Sequence, residues 1–135
     1  MGGRPLILLD THAWIWYLTA PENLSAAARE SVDRERSRRG MRVSSISVWE
    51  LFMLVKKGRL ELAISPSTFL RHAEQLSYID YVPVDNQIAR ISVELPDLHD
   101  DPADRLIVAT ALALSCPIVS KDIRLRSCPG VQLVW

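Results

Sequence analysis

Apolar residues fall along this chain in short continuous runs separated by longer stretches of helical period. Leu6–Leu9 is four apolar residues between turn-prone neighbours and Asp10, the pattern of a short buried strand. Arg42–Ile46, Ile79–Val84, Pro117–Ser120 and Val131–Val134 are the other strand-like runs. Helices are expected over His12–Thr19, Ala26–Arg39, Ser47–Lys57, Pro66 to about Ser77, Asn86–Leu95 and Asp101-Pro102 to Ser115. Start and stop signals frame them. Ser25, Ser65 and Asp85 are placed to cap, Pro66 and Pro102 suit a first turn, and Pro21, Gly40 and Gly58 end the helices before them. Strands alternating with helices predict a three-layer α/β sandwich around a mostly parallel five-stranded sheet. No repeat, low-complexity tract or linker interrupts the pattern, so residues 1–135 are expected to form a single domain.

Four carboxylates stand where these strands hand over to helices: Asp10, Glu50, Asp104 and Asp122. Right-handed crossovers bring the carboxyl ends of parallel strands to one edge, where ligands of α/β sheets collect. Acids converging there repel one another unless a cation neutralises them. The pattern therefore points to a divalent-metal site with all-oxygen ligation, of the kind that selects Mg²⁺ or Mn²⁺.

Each acid also has a plainer reading. Asp10 can cap the helix after it, and Asp122 the turn after its strand. Ser47-Val48-Trp49-Glu50 fits the capping box, in which Glu at the third helical position reaches back to the cap amide. Asp101 is a good N-cap with Pro102 after it, and Asp104 falls at the third position, where the helix dipole favours an acid whatever its job. The joint pattern tips the balance, because four independent caps need not share one sheet edge. His12 and His99 lie near helix starts, where a lone histidine is usually a polar surface residue.

Composition narrows the classes. At 135 residues, with 48% apolar and 24% charged side chains, the chain can bury a real core. Sixteen basic and sixteen acidic residues cancel, so attraction to nucleic acid must come from local patches. Arg34, Arg36, Arg38 and Arg39 read as a solvated helix face, with Glu30–Arg34 and Glu35–Arg39 as (i, i+4) pairs. Lys56, Lys57 and Arg59 follow the Glu50 helix and are the better candidates for phosphate contacts. Trp14, Trp16 and Trp49 are spaced as helix-packing residues, for the core or a subunit contact. Cys116 and Cys128 match no zinc spacing and form no disulfide framework, which favours a reduced, cytoplasmic protein. The chain start has too short an apolar run for a secretory leader, Leu6 breaks the myristoylation pattern, and no run is long enough to span a membrane.

The segments Leu8-Leu9-Asp10-Thr11-His12, Ser47-Val48-Trp49-Glu50, Asp101-Pro102-Ala103-Asp104-Arg105 and Ser120-Lys121-Asp122 together resemble the PIN-domain ribonucleases. Their order and spacing are most similar to VapC-type toxins of toxin–antitoxin pairs. The resemblance implies an acidic quartet of Asp10, Glu50, Asp104 and Asp122, with Thr11 and Ser120 as assisting hydroxyls. It also implies a sheet in the order 3-2-1-4-5, a homodimer, an RNA substrate and a cognate antitoxin that inserts a peptide near the site. Asp101 and Asp104 crowd one helix start, so the third ligand is open between them by one turn.

The implied chemistry is hydrolysis of an RNA phosphodiester by a metal-activated water, with one or two Mg²⁺ or Mn²⁺ ions held by Asp10, Asp104 and Asp122. Glu50 would hold a second ion or orient the water. A receiver-type signalling module is the first rival, with Asp85 as phosphoacceptor and Lys121 on a late strand, but Leu9-Asp10-Thr11 supplies only one acid of its required pair. A haloacid-dehalogenase-type phosphotransferase wants a second Asp where His12 stands. An inactive PIN-like binding module is the third, and keeping four mutually repelling acids argues against it.

Overall fold

The central strand, β1 (Ile7–Leu9), is apolar throughout and buried throughout. Side chains alternate across a strand. Ile7 and Leu9 accordingly enter one core, and Leu8 the other. Both faces of the sheet are thus covered, which is why the strand reads as an unbroken apolar run. In this computed structural model, which describes residues 6–135, the chain continues as α1 (Thr11–Thr19), α2 (Ala26–Arg38), β2 (Met41–Ser44), α3 (Ser45–Lys56) and α4 (Pro66–Glu74). It then forms β3 (Ile79–Val82), α5 (Asn86–Glu94), α6 (Pro102–Leu114), β4 (Ile118–Val119) and β5 (Leu133–Val134). The readings of the chain start as free of a leader or acyl signal rest in part on residues 1–5, which lie outside the described residues.

The sheet has the order β3-β2-β1-β4-β5 and every pairing is parallel. The expected α/β architecture and strand order are therefore present. One core packs β1 and β2 against Ala13 and Trp14 of α1, Val32 of α2, Leu51 of α3 and Phe69 of α4. Trp14 anchors it, fully buried, with its ring edge-on to Phe69 and Tyr81 and its Nε1 donating to the Tyr81 hydroxyl at 3.2 Å. Truncating such a residue to alanine costs about 3–5 kcal/mol. The other core packs Leu8 and Ile118 against Ile107, Val108 and Ala111 of α6, with Leu95 and Leu98 closing it.

The caps at Ser25, Ser65, Asp85 and Asp101 form as expected, each accepting from an amide three residues on. Other expectations need correction. α3 begins at Ser45 because Ser44 caps it, accepting from Ile46 N at 3.1 Å. Ser47 is consequently inside the helix, and the Ser47–Glu50 capping box does not exist. β3 ends at Val82, since Pro83 has no amide to give a ladder. α2 stops at Arg38, and Arg39 turns left-handed (φ 54°), which removes it from the Glu35–Arg39 register. Glu35 instead points inward and is 1% exposed, with Arg34 at 3.2 Å and Arg38 at 3.7 Å. No Glu30–Arg34 pair forms among the described residues. Two 3₁₀ segments, Pro21–Asn23 and Ile123–Ser127, carried too little periodicity to be expected. Cys116 and Cys128 are both free. Cys128 is the buried one, and burial pushes the half-buried Cys116 thiol up to about 11. No helix of the described residues is long and apolar enough to cross a membrane.

Candidate active site at the carboxyl edge of the sheet

Asp10 follows β1 directly, and its amide donates to the Val119 carbonyl at 3.1 Å, tying it to the neighbouring strand. Its Oδ1 caps α1 by accepting from Ala13 N at 2.9 Å. The capping and the site-facing readings of Asp10 are therefore compatible. Burial raises its carboxyl above the usual 3.8, a rise that the Ser120 hydroxyl and the Ala13 amide oppose and the charge of Asp104 reinforces. Ser120, itself buried, also accepts from the Asp122 amide at 3.0 Å, so one hydroxyl bridges the first and last acids.

Glu50 lies in the second turn of α3, facing α1. The Thr11 hydroxyl donates to its Oε1, and the Thr11 and Ser47 hydroxyls share a hydrogen bond at 2.9 Å. Thr11 thus serves Glu50 and not the acid beside it. Burial raises the Glu50 carboxyl above 4.5, and the charges of Asp104 and Asp101 push it the same way. The charge of Asp104 thus reaches Glu50.

Asp104 is the hub, since its charge reaches Asp10 as well as Glu50. It occupies the first turn of α6, where Asp101 has taken the capping role by accepting from Asp104 N at 3.0 Å. Its own carboxylate is left to face the sheet edge, 2.8 Å from His99 Nε2. Burial raises its carboxyl, and Asp101 and Asp122 add to the rise. Asp122 differs. Arg124 clasps it with Nε at 2.9 Å and Nη2 at 2.8 Å, which holds its carboxyl below 3.8, and its Oδ1 also caps the following 3₁₀ segment through Arg124 N. Donor atoms of His99, Asp104 and Asp122 all lie within 4.8 Å of one another.

Burial is the first cause of the raised carboxyls of Asp10, Glu50 and Asp104, and neighbouring acids add to each. Of the four acids, Asp104 and Asp122 fall within the donor group with His99, and carboxylate oxygens suit a small hard ion. Asp10 and Glu50 lie outside that group and are linked to Asp104 by their charges. Arg124 also brings its guanidinium within 4.0 Å of Asp104.

A family model for the PIN domain matches residues 7–130 of the chain. The chain belongs to the PIN-domain family. It is 36% identical over 133 residues to Ribonuclease VapC22 of Mycobacterium tuberculosis, a match covering 96% of this chain and 98% of that one. Its fold is similar to VapBC2 of Rickettsia felis bound to a promoter DNA fragment, with a TM-score of 0.71, 17% identity and coverage of 95% and 96%. The DNA-bound VapBC of Salmonella typhimurium gives 0.68, 20%, 96% and 97%.

Membership of the PIN family disposes of the receiver alternative, and the structure adds a reason. Asp85, the would-be phosphoacceptor, is committed to capping α5 through Ile88 N at 2.9 Å. Lys56, Lys57 and Arg59 are exposed, but α3 carries Lys56 about 9 Å along its axis from Glu50, away from the strand ends. Trp49 is 56% exposed and so belongs to no core. His12 is exposed and leans on Trp16, with ring centroids 5.7 Å apart.

Arg105 was overlooked on sequence. All five of its guanidinium N–H groups are spent on carbonyls: Ser92 at 2.9, Val93 at 3.3, Leu95 at 2.9, Leu98 at 2.8 and His99 at 3.3 Å. It closes the C-terminal end of α5, whose partial negative charge suits a cation, and fixes the loop that carries His99. Arg124 was overlooked as well. Its (i, i+2) spacing from Asp122 was the one available signal.

Proposed function

We propose that this PIN domain is a metal-dependent endoribonuclease, the toxin component of a toxin–antitoxin pair. Asp10, Glu50, Asp104 and Asp122 are its catalytic acids and would hold Mg²⁺ or Mn²⁺. The observation that carries the reading is the closeness of Asp104, Asp122 and His99 at the carboxyl edge, supported by the raised carboxyls of Asp10, Glu50 and Asp104 and by membership of the PIN family. When bound, the ion would polarise the phosphodiester and lower the pKa of a water. Asp104, at the hub, and Asp10, pinned between β1 and β4, present fixed oxygens. Glu50, oriented by Thr11 and with raised proton affinity, is placed to take a proton from the attacking water. Arg124, once released from Asp122, leaves a guanidinium at the rim for a substrate phosphate.

The VapC22 relationship supports RNA as the substrate and a bacterial cytoplasm as the place of work. The solved VapBC assemblies support a cognate antitoxin protein as partner. A homodimer is part of the same reading. The exposed Trp49 beside Pro83 and Val84, lining an apolar groove of about 450 Å³ at the flank of the site, supports it. Incubating the purified protein with single-stranded and stem-loop RNA tests the activity. Cleavage by the wild type and none by Asp104→Asn is expected. Equal cleavage by both would overturn the assignment.

A further inference from the structure

His99 stands at hydrogen-bond distance from the hub carboxylate. Its Nε2 is 2.8 Å from Asp104 Oδ2, and the ring is only about a quarter exposed at 25%. The position is built. His99 sits on the Leu95–Asp100 connection, which Arg105 grips at both ends through Leu95, Leu98 and His99 carbonyls. Leu95 and Leu98 seal the same loop into the core below. A histidine merely resting on the surface would have neither the clamp nor the buried flanks.

We propose that His99 is a direct nitrogen ligand of the divalent-cation site, together with Asp104 and Asp122, and that the site consequently prefers Mn²⁺ to Mg²⁺. This rests on the metal-dependent reading above and sharpens it. Donor atoms on one small cation at about 2.0–2.1 Å stand up to about 4.2 Å apart. The spread of at most 4.8 Å among these three therefore closes with a shift of a few tenths of an ångström once Arg124 gives up its hold on Asp122. Imidazole nitrogen suits the first-row transition metals, whereas Mg²⁺ favours carboxylate, carbonyl and water oxygens. A site with one nitrogen among its oxygens discriminates where an all-oxygen site would not. The ring gives its Nε2 lone pair to the cation and ceases to share a proton with Asp104, whose Oδ2 is then free to ligate as well.

The test uses Mn²⁺ alone as the probe, on the full chain without RNA. Pulsed EPR of the Mn²⁺-loaded protein should show the coupling of a directly bound ¹⁴N, absent in His99→Gln, whose amide can keep the contact with Asp104. Competition titrations should show His99→Gln losing at least about tenfold in Mn²⁺ affinity while Mg²⁺ affinity stays within about twofold. Mn²⁺ bound with no ¹⁴N coupling, or an Mn²⁺/Mg²⁺ ratio unchanged by the substitution, would overturn the role of His99 and leave the metal site standing. Failure of the wild-type protein to bind either ion would overturn both.

Discussion

Asp101 accepts a hydrogen bond from the amide of Asp104 at 3.0 Å, so two acids in the first turn of one helix have divided their labour. Asp101 caps α6, and the side chain of Asp104 is freed to meet His99 and Asp122. The two alanine variants should therefore differ in kind. Asp101→Ala should cost about 0.5–2 kcal/mol of stability, as lost caps do, and keep metal binding. Asp104→Ala should abolish cleavage and weaken metal binding at little cost in stability. Thermal melts beside Mn²⁺ titrations separate them, and loss of metal from Asp101→Ala alone would reverse the assignment.

The metal-free protein should become less stable as pH rises from about 4 toward neutrality. Asp10, Glu50 and Asp104 have native values raised above 3.8, 4.5 and 3.8, so in that window the folded state holds more protons than the unfolded one. Stability then falls with rising pH, through each unfolded value and up to the raised native one. Asp122 has the opposite sign: its contribution is present above 3.8 and is lost as pH falls through its lowered native value. Melting temperatures in chelator should show the decline, and saturating Mn²⁺ should flatten it. A melting temperature that climbs between pH 4 and 7 in chelator contradicts the raised values of the three acids.

On the proposed reading Arg124, which holds Asp122 at 2.8 and 2.9 Å, competes with the cation for it. Replacing Arg124 with alanine should tighten Mn²⁺ binding to the free protein and weaken RNA binding, since the same guanidinium is offered to the substrate phosphate. A fluorescence-anisotropy titration with RNA, beside the metal titration, reads both directions. Weakening of both would make Arg124 a support of the fold and not a rival charge.

Arg105→Lys should destabilise the protein by on the order of 2–3 kcal/mol, because an ammonium cannot span five carbonyls arranged for a planar fork. Hydrogen exchange should localise the loosening to the end of α5 and the His99 loop. Protection lost uniformly over the whole chain would mean that Arg105 is not a local clamp.

The strands and most caps were legible because their signals are local. Leu6–Leu9 is an unbroken apolar run, and Ser25, Ser65, Asp85 and Asp101 each act on an amide three residues away. The placement of Asp10 directly after β1 and of Asp104 in the first turn of α6 was legible from the same local signals. Glu50 was harder, since a plausible local partner, Ser47, masked its contact with Thr11, 39 residues earlier. The capping box failed because Ser44 capped first. His99 owes its place to Arg105, whose carbonyl partners carry no side-chain signal at all. The exposed face of Trp49 was equally hidden, because helical spacing alone does not say which face of α3 meets the sheet.

The central claim is that cleavage of RNA runs through the cation held by these acids. The most direct measurement is the rate of RNA cleavage by the purified wild-type protein in EDTA, then after dialysis and stepwise return of Mn²⁺ or Mg²⁺. No cleavage in chelator, with activity returning along the binding curve of the ion, is the predicted result. Cleavage that persists undiminished in chelator would contradict the account.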